Sequence, residues 1–455
     1  MSTSKNGPIQ YEGEFYKKGR KFGMMHKRIC KIIGSQFQVF KKSKHSKPSK
    51  VIELSADTLV HKSETSKAFM FTIIPLNGKQ VTYASKDKKL RDKFTNELKN
   101  IILSTPNLTM NCFDIKSVIG RGYFGKVLLC RRKNTKNYFA IKTIKKSLLV
   151  QEDKLNTVIV ERQVLMKCNN PFIVKIDFAF NTETKLYLGL EYVSGGDLNH
   201  HIEETKNILF SDIRLYLAEV AIALNYLHKN GIIYRDLKSE NVLLDADGHI
   251  KLTDFGLAKD FQQAENSTTN TFCGTPECIA PEIIQRYPYS YEVDWWDFGI
   301  LAYELIFREK PFKHPNKNKL FELICTAKAI FPPSADSITI SFISELLQKT
   351  PEDRLSFNDI KIHPFFNGLN FDDVYNKKIK PSFVPPNDGL NIDDAIKNEC
   401  PADSYATPIE ISKSVFEGFS FIASEDMKLD DFDADGSSSS SPLYLARVPS
   451  KLEML

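Results

Sequence analysis

The chain has 455 residues, of which 42% are hydrophobic and 26% are charged, as is usual for soluble globular proteins. It has room for about three domains. No run of about 18 apolar residues is present, so no segment is expected to span a bilayer, and the polar N-terminus does not resemble a secretory signal. The eight cysteines form no C-x-x-C pair. This spacing disfavours a zinc site or a disulfide framework and favours a reducing compartment.

The charge is unevenly distributed along the chain. Residues 1–105 carry 22 Lys/Arg and 8 Asp/Glu, a net charge of +14, which leaves −8 for the rest of a chain with a total of +6. The excess either forms a solvated basic surface or attracts an anionic membrane or nucleic acid. Because no nucleic-acid-binding motif is present, no nucleic-acid partner is expected.

The first unit is predicted to contain about seven short strands and one helix. Residues 36–39 and 69–73 alternate with period 2, and Asn77-Gly78 before residues 81–83 indicates a hairpin. Ser85 is a candidate N-cap for the helix. The apolar residues at helical spacing after it are Leu90, Phe94, Leu98, Ile101 and Ile102. This pattern resembles a pleckstrin-homology (PH) domain, with a β-barrel closed by a C-terminal helix, over residues 11–104.

A turn-rich linker at residues 105–112 leads to a second unit, predicted for residues 113–366, in which strands precede long helices. Its clearest helix follows Ser211 and stops at Gly231. Residues 367–423 are predicted to form an irregular tail. Residues 424–455 include five consecutive serines and are expected to be disordered.

The second unit opens with a G-x-G-x-x-G-x-V sequence. The residues that match this pattern are Gly120, Gly122, Gly125 and Val127. This motif alone also fits a dinucleotide-binding fold. However, Lys142 follows on a strand-like segment rather than at the start of a helix, and Glu161 lies in a helical stretch that can bring it to Lys142. Taken singly, both residues would more often be ordinary surface charges.

Three further motifs follow in order: residues 234–241 (YRDLKSEN), 254–256 (DFG) and 280–282 (APE). The ordered set resembles the eukaryotic protein kinase family. The resemblance implies a bilobal fold, with a small β-rich lobe and a large α-rich lobe, within an α+β multidomain chain. It also implies ATP and Mg²⁺ as cofactors.

The resemblance assigns a role to each matching residue. Asp236 is the catalytic base and Lys238 neutralises the transferring phosphoryl group. Asn241 and Asp254 supply oxygen ligands to the metal. The ATP-binding residues are Gly120, Gly122, Gly125, Val127, Lys142, Glu161 and Glu191. Glu282 is expected to pair with Arg354, and Asp294 is expected to brace the catalytic loop; both roles are structural.

Residues 416–421 (FEGFSF) and the activation segment 271–277 (TFCGTPE) narrow the resemblance to the AGC kinases. The resemblance to the AGC kinases implies phosphorylation by upstream kinases at Thr271 and Ser420. Thr271 phosphate would meet Arg235 and Lys259, and the phenylalanines of residues 416–421 would dock on the small lobe. Thr407, before Pro408, resembles a third site but lies only 13 residues before Ser420.

In the PH-like unit, Lys17 and Arg28 match the basic positions that bind phosphoinositides. The resemblance therefore predicts a cytoplasmic protein recruited to the inner face of the plasma membrane, although binding to a protein or to a generic anionic surface stays open.

Three acids match positions that bind basic residues of the substrate upstream of the phosphorylated serine or threonine: Asp197, Glu240 and Glu304. The resemblance therefore implies a basophilic serine/threonine kinase. Two alternative functions remain open. The chain could be a membrane-bound pseudokinase scaffold, or its first unit could cover the kinase and inhibit it.

Overall fold

The computed structural model describes residues 9–18, 25–34, 36–41, 47–54, 58–66, 68–74, 80–104, 108–133, 135, 137–205, 208–262, 267–385, 399–408, 413–416 and 419–422. Two sequence predictions lie outside these residues: the turn at Asn77-Gly78 and the disordered tail at 424–455. Among the helices of the described residues, none combines the length and the apolar composition that a membrane span requires.

The first unit is a seven-stranded antiparallel sheet followed by one helix, and its strand order is β4-β3-β2-β1-β7-β6-β5. The predicted strands at residues 36–39, 69–73 and 81–83 are confirmed. The elements are β1 (Ile9–Lys18), β2 (Met25–Ile33), β3 (Gln36–Phe40), β4 (Lys50–Glu53), β5 (Leu59–Thr65), β6 (Ala68–Ile74), β7 (Val81–Ser85) and α1 (Lys88–Ser104).

Phe94 is the centre of the core of this unit. Its ring, which is fully buried, lies 4.8 Å from that of Phe15, 5.6 Å from that of Phe71 and 5.6 Å from that of Tyr11. Aromatic contacts of this kind stabilise by about 0.5–1.5 kcal/mol beyond burial alone. The predicted apolar face of α1 is therefore the face that packs on the sheet.

The N-cap of α1 differs from the prediction. Asp87 Oδ1 accepts hydrogen bonds from the backbone N–H groups of Lys89 (2.8 Å) and Leu90 (3.2 Å), which is the role of an N-cap. Ser85 was the wrong candidate, because its hydroxyl oxygen accepts from the N–H of Asp87 instead, at 3.0 Å. The strand runs as far as Ser85, so the helix can begin only after two further residues.

The second unit begins with a small lobe built on an antiparallel sheet. The Lys142 strand and the Glu161 helix are both as predicted. The elements are β8 (Phe113–Gly122), β9 (Gly125–Arg132), β10 (Tyr138–Lys145), α2 (Lys146–Gln151), α3 (Leu155–Lys167), β11 (Ile176–Asn181) and β12 (Lys185–Glu191). Leu108 and Cys112, from the predicted linker, are buried in one cluster with Phe113 at the start of this sheet.

A large helical lobe follows. Its elements are α4 (Leu198–Glu204), α5 (Phe210–Lys229), β13 (Ile232–Ile233), β14 (Val242–Leu244), β15 (Ile250–Leu252), β16 (Lys259–Asp260), α6 (Pro281–Ile284), α7 (Glu292–Phe307), α8 (Lys317–Thr326), α9 (Ser337–Leu346), α10 (Phe357–Ile362) and α11 (Phe371–Tyr375). Helix α5 is the helix predicted near Ser211. It begins one residue before Ser211, and it ends just before Gly231, whose φ of +74° suits glycine.

The chain finally returns to the small lobe as a short strand, β17 (Phe421–Ile422), which pairs antiparallel with β11. The small-lobe sheet therefore has six strands in the order β17-β11-β12-β10-β9-β8. The second unit is thus bilobal, as predicted, and the catalytic motifs lie on strands and loops of both lobes.

Candidate active site

The glycine-rich loop is the tip of the β8–β9 hairpin, where Gly122 pairs with Gly125 across the Tyr123-Phe124 turn. A Cβ atom on Gly125 would lie 1.8 Å from the Thr143 carbonyl oxygen, so only glycine fits there. Gly122 has no such constraint, since nothing lies within 4 Å of a Cβ placed on it. Packing within the protein therefore explains Gly125 but does not explain Gly122.

Lys142 on β10 joins the two lobes through its ammonium group. Its Nζ lies 2.7 Å from Glu161 Oε1 on α3 and 2.8 Å from Asp254 Oδ1 in the large lobe. Burial acts to lower the pKa of Lys142, but Glu161 and Asp254 together raise it. Lys142 holds the pKa of Asp254 below its usual value, so the Asp254 carboxylate is ionised at neutral pH. The ion pair suggested by the sequence is present.

Asp236 lies at the centre of a hydrogen-bonded catalytic loop. Its Oδ2 accepts from Asn241 Nδ2 at 2.8 Å, and its Oδ1 accepts from the Thr275 hydroxyl at 3.0 Å. Lys238 Nζ lies 3.4 Å from Asp236 Oδ2 and donates to the Thr275 hydroxyl at 3.1 Å. The carboxylate is therefore fixed in position between a cation and two donors. Thr275 was not identified from the sequence.

The backbone of this loop is strained and is held by a buried carboxylate. Arg235 in this loop has a φ of +68°, and Asp254 in the neighbouring segment 254–256 has a φ of +52°; such conformations cost about 1–3 kcal/mol each in non-glycine residues. Asp294 accepts from the N–H groups of Tyr234 (2.9 Å) and Arg235 (2.7 Å) and contacts His228 Nε2 at 2.7 Å. Asp294 thus braces the loop, as the sequence suggested.

A second buried pair fixes the segment after the activation loop. Arg354 Nη1 and Nη2 bind Glu282 Oε1 and Oε2 at 2.6 and 2.7 Å. Arg354 Nε also donates to the Gln348 carbonyl at 2.9 Å. This fork-to-fork geometry is the strong form of a charge-assisted hydrogen bond, and it connects α6 to the segment before α10.

Glu191 ends β12 at the junction of the lobes. Its Oε1 accepts from the Lys175 N–H at 2.7 Å and from Lys251 Nζ at 2.8 Å. Glu191 Oε1 is therefore bound by a backbone N–H and by a lysine.

The three predicted substrate-reading acids differ in their environments. Asp197 caps α4 by accepting from the His200 N–H at 2.8 Å, and burial, with a smaller contribution from Glu240, raises its pKa. Glu240 is exposed. Glu304 is buried and already paired with Lys310 Nζ at 2.7 Å, a partner that the sequence did not reveal.

Thr271 lies in the activation segment beside Tyr289. The Tyr289 hydroxyl donates to the Thr271 carbonyl at 2.6 Å and lies 3.1 Å from Arg235 Nη1. Burial lowers the pKa of Lys259, and Arg235 lowers it further. Arg235 and Lys259 are therefore neighbouring cations close to the predicted phosphorylation site.

The residue 416–421 segment packs on the small lobe. The Arg162 guanidinium on α3 lies over the rings of Phe419 (5.4 Å) and Phe421 (5.1 Å), and Lys146 Nζ lies 4.1 Å from the centre of the Phe416 ring. Phe416 and Phe419 are buried. The Ser420 hydroxyl is exposed and accepts from Asn181 Nδ2 at 3.5 Å. Thr407 is exposed.

The predicted lipid residues lie together on one end of the first unit. Lys17 pairs with His26, and Phe15 pairs with Arg28, so Lys17 and Arg28 share one face of the β1–β2 hairpin. Lys17 lies over the Tyr83 ring at 5.7 Å. Lys50 on β4 belongs to the same cluster, since its pKa is lowered first by burial and then by Lys17. Lys50 was not predicted as part of this cluster, because β4 is distant from β1 and β2 along the chain.

Sequence reasoning also missed two acids of the tail that bind the small lobe. Glu399 Oε2 lies 2.7 Å from Arg121 Nη2, and Glu399 also pairs with Lys126, so it contacts both strands of the glycine-rich hairpin. Asp403 accepts from the Tyr187 hydroxyl at 2.8 Å and pairs with Lys185. Separations of more than 200 residues hide such pairs from any local pattern.

Comparison with known proteins agrees with this geometry. Residues 113–366 match the family model for the protein kinase domain. A RAC family serine/threonine-protein kinase homolog of Dictyostelium discoideum is 33% identical over 445 residues, covering 93% of this chain and 99% of the relative. Serine/threonine-protein kinase gad8 of Schizosaccharomyces pombe is 41% identical over 323 residues, covering 70% of this chain and 56% of the relative.

Protein kinase C-like 2 of the same yeast is 38% identical over 333 residues, covering 69% of this chain and 32% of the relative. The chain thus spans almost all of one relative and smaller parts of the other two. The chain belongs to the protein kinase family and is a serine/threonine protein kinase of the AGC type.

Proposed function

We propose that this kinase transfers phosphate from ATP with Mg²⁺ to serine or threonine near basic residues. In this proposal a PH domain at residues 11–104 recruits it from the cytoplasm to phosphoinositides on the inner face of the plasma membrane. Upstream kinases activate it at Thr271 and Ser420. This combination resembles the protein kinase B family. The single observation that carries the phosphotransfer is the meeting of Lys142 with Glu161 and Asp254 in one ion-paired cluster between the lobes.

The donor set of the site fits a magnesium nucleotide. Mg²⁺ in phosphotransferases is held by one or two protein oxygen ligands together with phosphates and water. Asp254 supplies an ionised carboxylate, and Asn241 uses its Nδ2 on Asp236, which leaves its Oδ1 as an acceptor. When bound, the metal neutralises charge on the phosphates. Gly122, which protein packing does not require, would let the loop backbone approach them.

The chain's own groups then position the reaction. Lys142 anchors the phosphates, and Glu161 holds Lys142 in place. Asp236 orients the acceptor hydroxyl and takes its proton, while Lys238 neutralises the transferring phosphoryl group. The Thr275 and Asn241 donors keep the Asp236 carboxylate aimed before substrate arrives. Such pre-organisation lowers the barrier because little reorientation is left for the reaction itself.

Docking of the tail supports α3 from outside. Arg162 and Glu161 are adjacent on α3, so rings packed on Arg162 restrict the position of Glu161 and with it the Lys142 ion pair. The Ser420 hydroxyl lies beside Asn181, whose Oδ1 accepts from Lys146 at 3.3 Å. A phosphate on Ser420 would therefore gain a donor and a nearby cation, which favours docking.

Replacing Phe419 by Ala is expected to lower kcat by at least about tenfold. Truncating a buried Phe costs about 3–5 kcal/mol, and each 1.4 kcal/mol shifts a docking equilibrium about tenfold, so the tail would leave the small lobe. The measurement is peptide phosphorylation by the full-length protein. Val415→Ala is the matched control, since Val415 directly precedes the 416–421 segment and is exposed. Full activity of Phe419→Ala would contradict control by the tail.

Activation at Thr271 is supported by the cations around it. Arg235 and Lys259 repel each other and lie near the Thr271 segment. A phosphate on Thr271 would relieve this repulsion through charge-assisted hydrogen bonds. It would also connect the activation segment to the catalytic loop, because Arg235 directly precedes Asp236.

Membrane recruitment is supported by the basic cluster of Lys17, Arg28 and Lys50. These residues come from three strands, and each basic group near an anionic leaflet contributes about 1 kcal/mol. The proposal takes a phosphoinositide headgroup as the ligand, because several converging cations suit a multiply charged phosphate better than a dispersed surface.

Replacing Arg28 by Ala is expected to weaken binding to vesicles containing phosphoinositide about tenfold, because a hydrogen bond between charged groups contributes about 1.5–3 kcal/mol. Vesicle co-sedimentation of the full-length protein measures this. Lys62→Ala is the control: it removes the same charge from the same unit, at a residue paired with Asp92 at 3.1 Å. Equal losses in the two variants would mean generic charge attraction without a headgroup site.

A further inference from the structure

Lys310 places a positive charge beside Glu304, one of the three acids predicted to bind basic residues of the substrate. Its Nζ lies 2.7 Å from Glu304 Oε1, and the two side chains are only 20% and 11% exposed. The second carboxylate oxygen, Glu304 Oε2, is buried and has no hydrogen-bond partner. None of the catalytic roles described above uses Lys310.

The pair lies close to the reacting groups. Lys310 Nζ is 3.9 Å from Cys278 Sγ, and Cys278 follows three residues after Thr275, whose hydroxyl donates to Asp236. Glu240, four residues after Asp236, is close enough to act on Lys310 electrostatically. Lys310 is therefore beside the segment that must contact a substrate peptide.

Lys310 stays charged in this environment. Burial acts to lower the pKa of Lys310, but the carboxylates of Glu304 and Glu240 raise it. Burial also raises the pKa of the Cys278 thiol, which keeps that thiol neutral near pH 7. The negative charge of Glu304 is thus neutralised by Lys310 of the same chain.

We propose that Lys310 takes the place of a substrate arginine at Glu304, so that the kinase reads a single upstream arginine through Glu240 and Asp197. This rests on the proposed basophilic function and names its substrate class more narrowly. A second cation at Glu304 would have to displace Lys310 or lie against it, and like charges a few ångströms apart in a buried site repel strongly. The unpartnered Glu304 Oε2 shows that the point charge of lysine satisfies only one oxygen, whereas an arginine fork would engage both.

The test compares peptides in which arginine is placed singly and in pairs at each of the five positions before the serine. In the full-length wild-type kinase, arginine at one of these positions should raise kcat/KM most, and a second arginine should add little to it. In Lys310→Met, a second arginine should raise kcat/KM about tenfold, as expected for a charged hydrogen bond. Lys310→Met/Glu304→Gln should lose this gain. Lys313→Met is the control, because it removes the same charge from an exposed pair with Glu309 nearby.

Single replacements in the unaltered Lys310 background give an independent readout. Glu240→Gln should lower kcat/KM for one-arginine peptides about tenfold, while Glu309→Gln, at an exposed acid, should leave it nearly unchanged. The inference is overturned if the wild type already gains from a second arginine through Glu304, or if Lys310→Met has the wild-type profile. Absence of arginine dependence in both wild type and Lys310→Met would overturn the basophilic function itself, which is a different outcome.

Discussion

Replacing Asp236 by Asn is expected to lower kcat by about 10²–10⁴-fold, the usual contribution of a positioned acid–base group. The amide keeps the size of the side chain but cannot take the proton of the acceptor hydroxyl. It also replaces one of the two oxygens that accept from Thr275 and Asn241 with a donor. Nucleotide affinity should change little, because the phosphates and metal are assigned to other residues.

The measurement is steady-state peptide phosphorylation, with nucleotide binding determined on the same protein. Asp247→Asn is the matched control, since Asp247 is an exposed acid in the turn between β14 and β15. It should retain wild-type activity. An Asp236→Asn protein with unchanged kcat would remove Asp236 from the chemistry, and the convergence of motifs would need another explanation.

Replacing Arg354 by Met should lower the free energy of unfolding of the large lobe by about 3–5 kcal/mol. Removing one partner of a buried ion pair leaves the other charge buried and unpaired, and here Glu282 would lose both of its short hydrogen bonds. The backbone carbonyls of Gln348 and Glu292 would lose donors as well.

Tryptophan fluorescence during denaturant unfolding measures this change selectively. The chain has two tryptophans, and both are buried in α7 of the large lobe. Lys378→Met is the control, because its pair with Asp373 is exposed and should contribute at most about 1 kcal/mol. Adding Glu282→Gln to Arg354→Met should recover part of the loss. If Arg354→Met and Lys378→Met unfold at the same denaturant concentration, the buried pair does not stabilise this lobe.

Prediction succeeded where chemistry requires a fixed order of residue types. The Lys142–Glu161 pair, the Glu282–Arg354 pair and the Asp294 contacts could all be expected, because the resemblance to the protein kinase family assigns them. The apolar face of α1 and the Lys142 strand followed from periodicity. The prediction of Ser85 as the N-cap was wrong because Ser85 and Asp87 are both suitable capping residues near the start of the helix. Ser85 is the last residue of β7, which leaves Asp87 as the cap.

The sequence by itself determined that this protein is a kinase, since its catalytic groups are recognisable from their type and order alone. Only the tertiary structure decided what surrounds them. The Lys310–Glu304 pair, the approach of Lys50 to Lys17 and the binding of Glu399 to the glycine-rich hairpin each join surface-type charges that local patterns do not relate. Such contacts depend on how whole elements pack, and their electrostatic energy depends on burial, which becomes defined only in the folded chain.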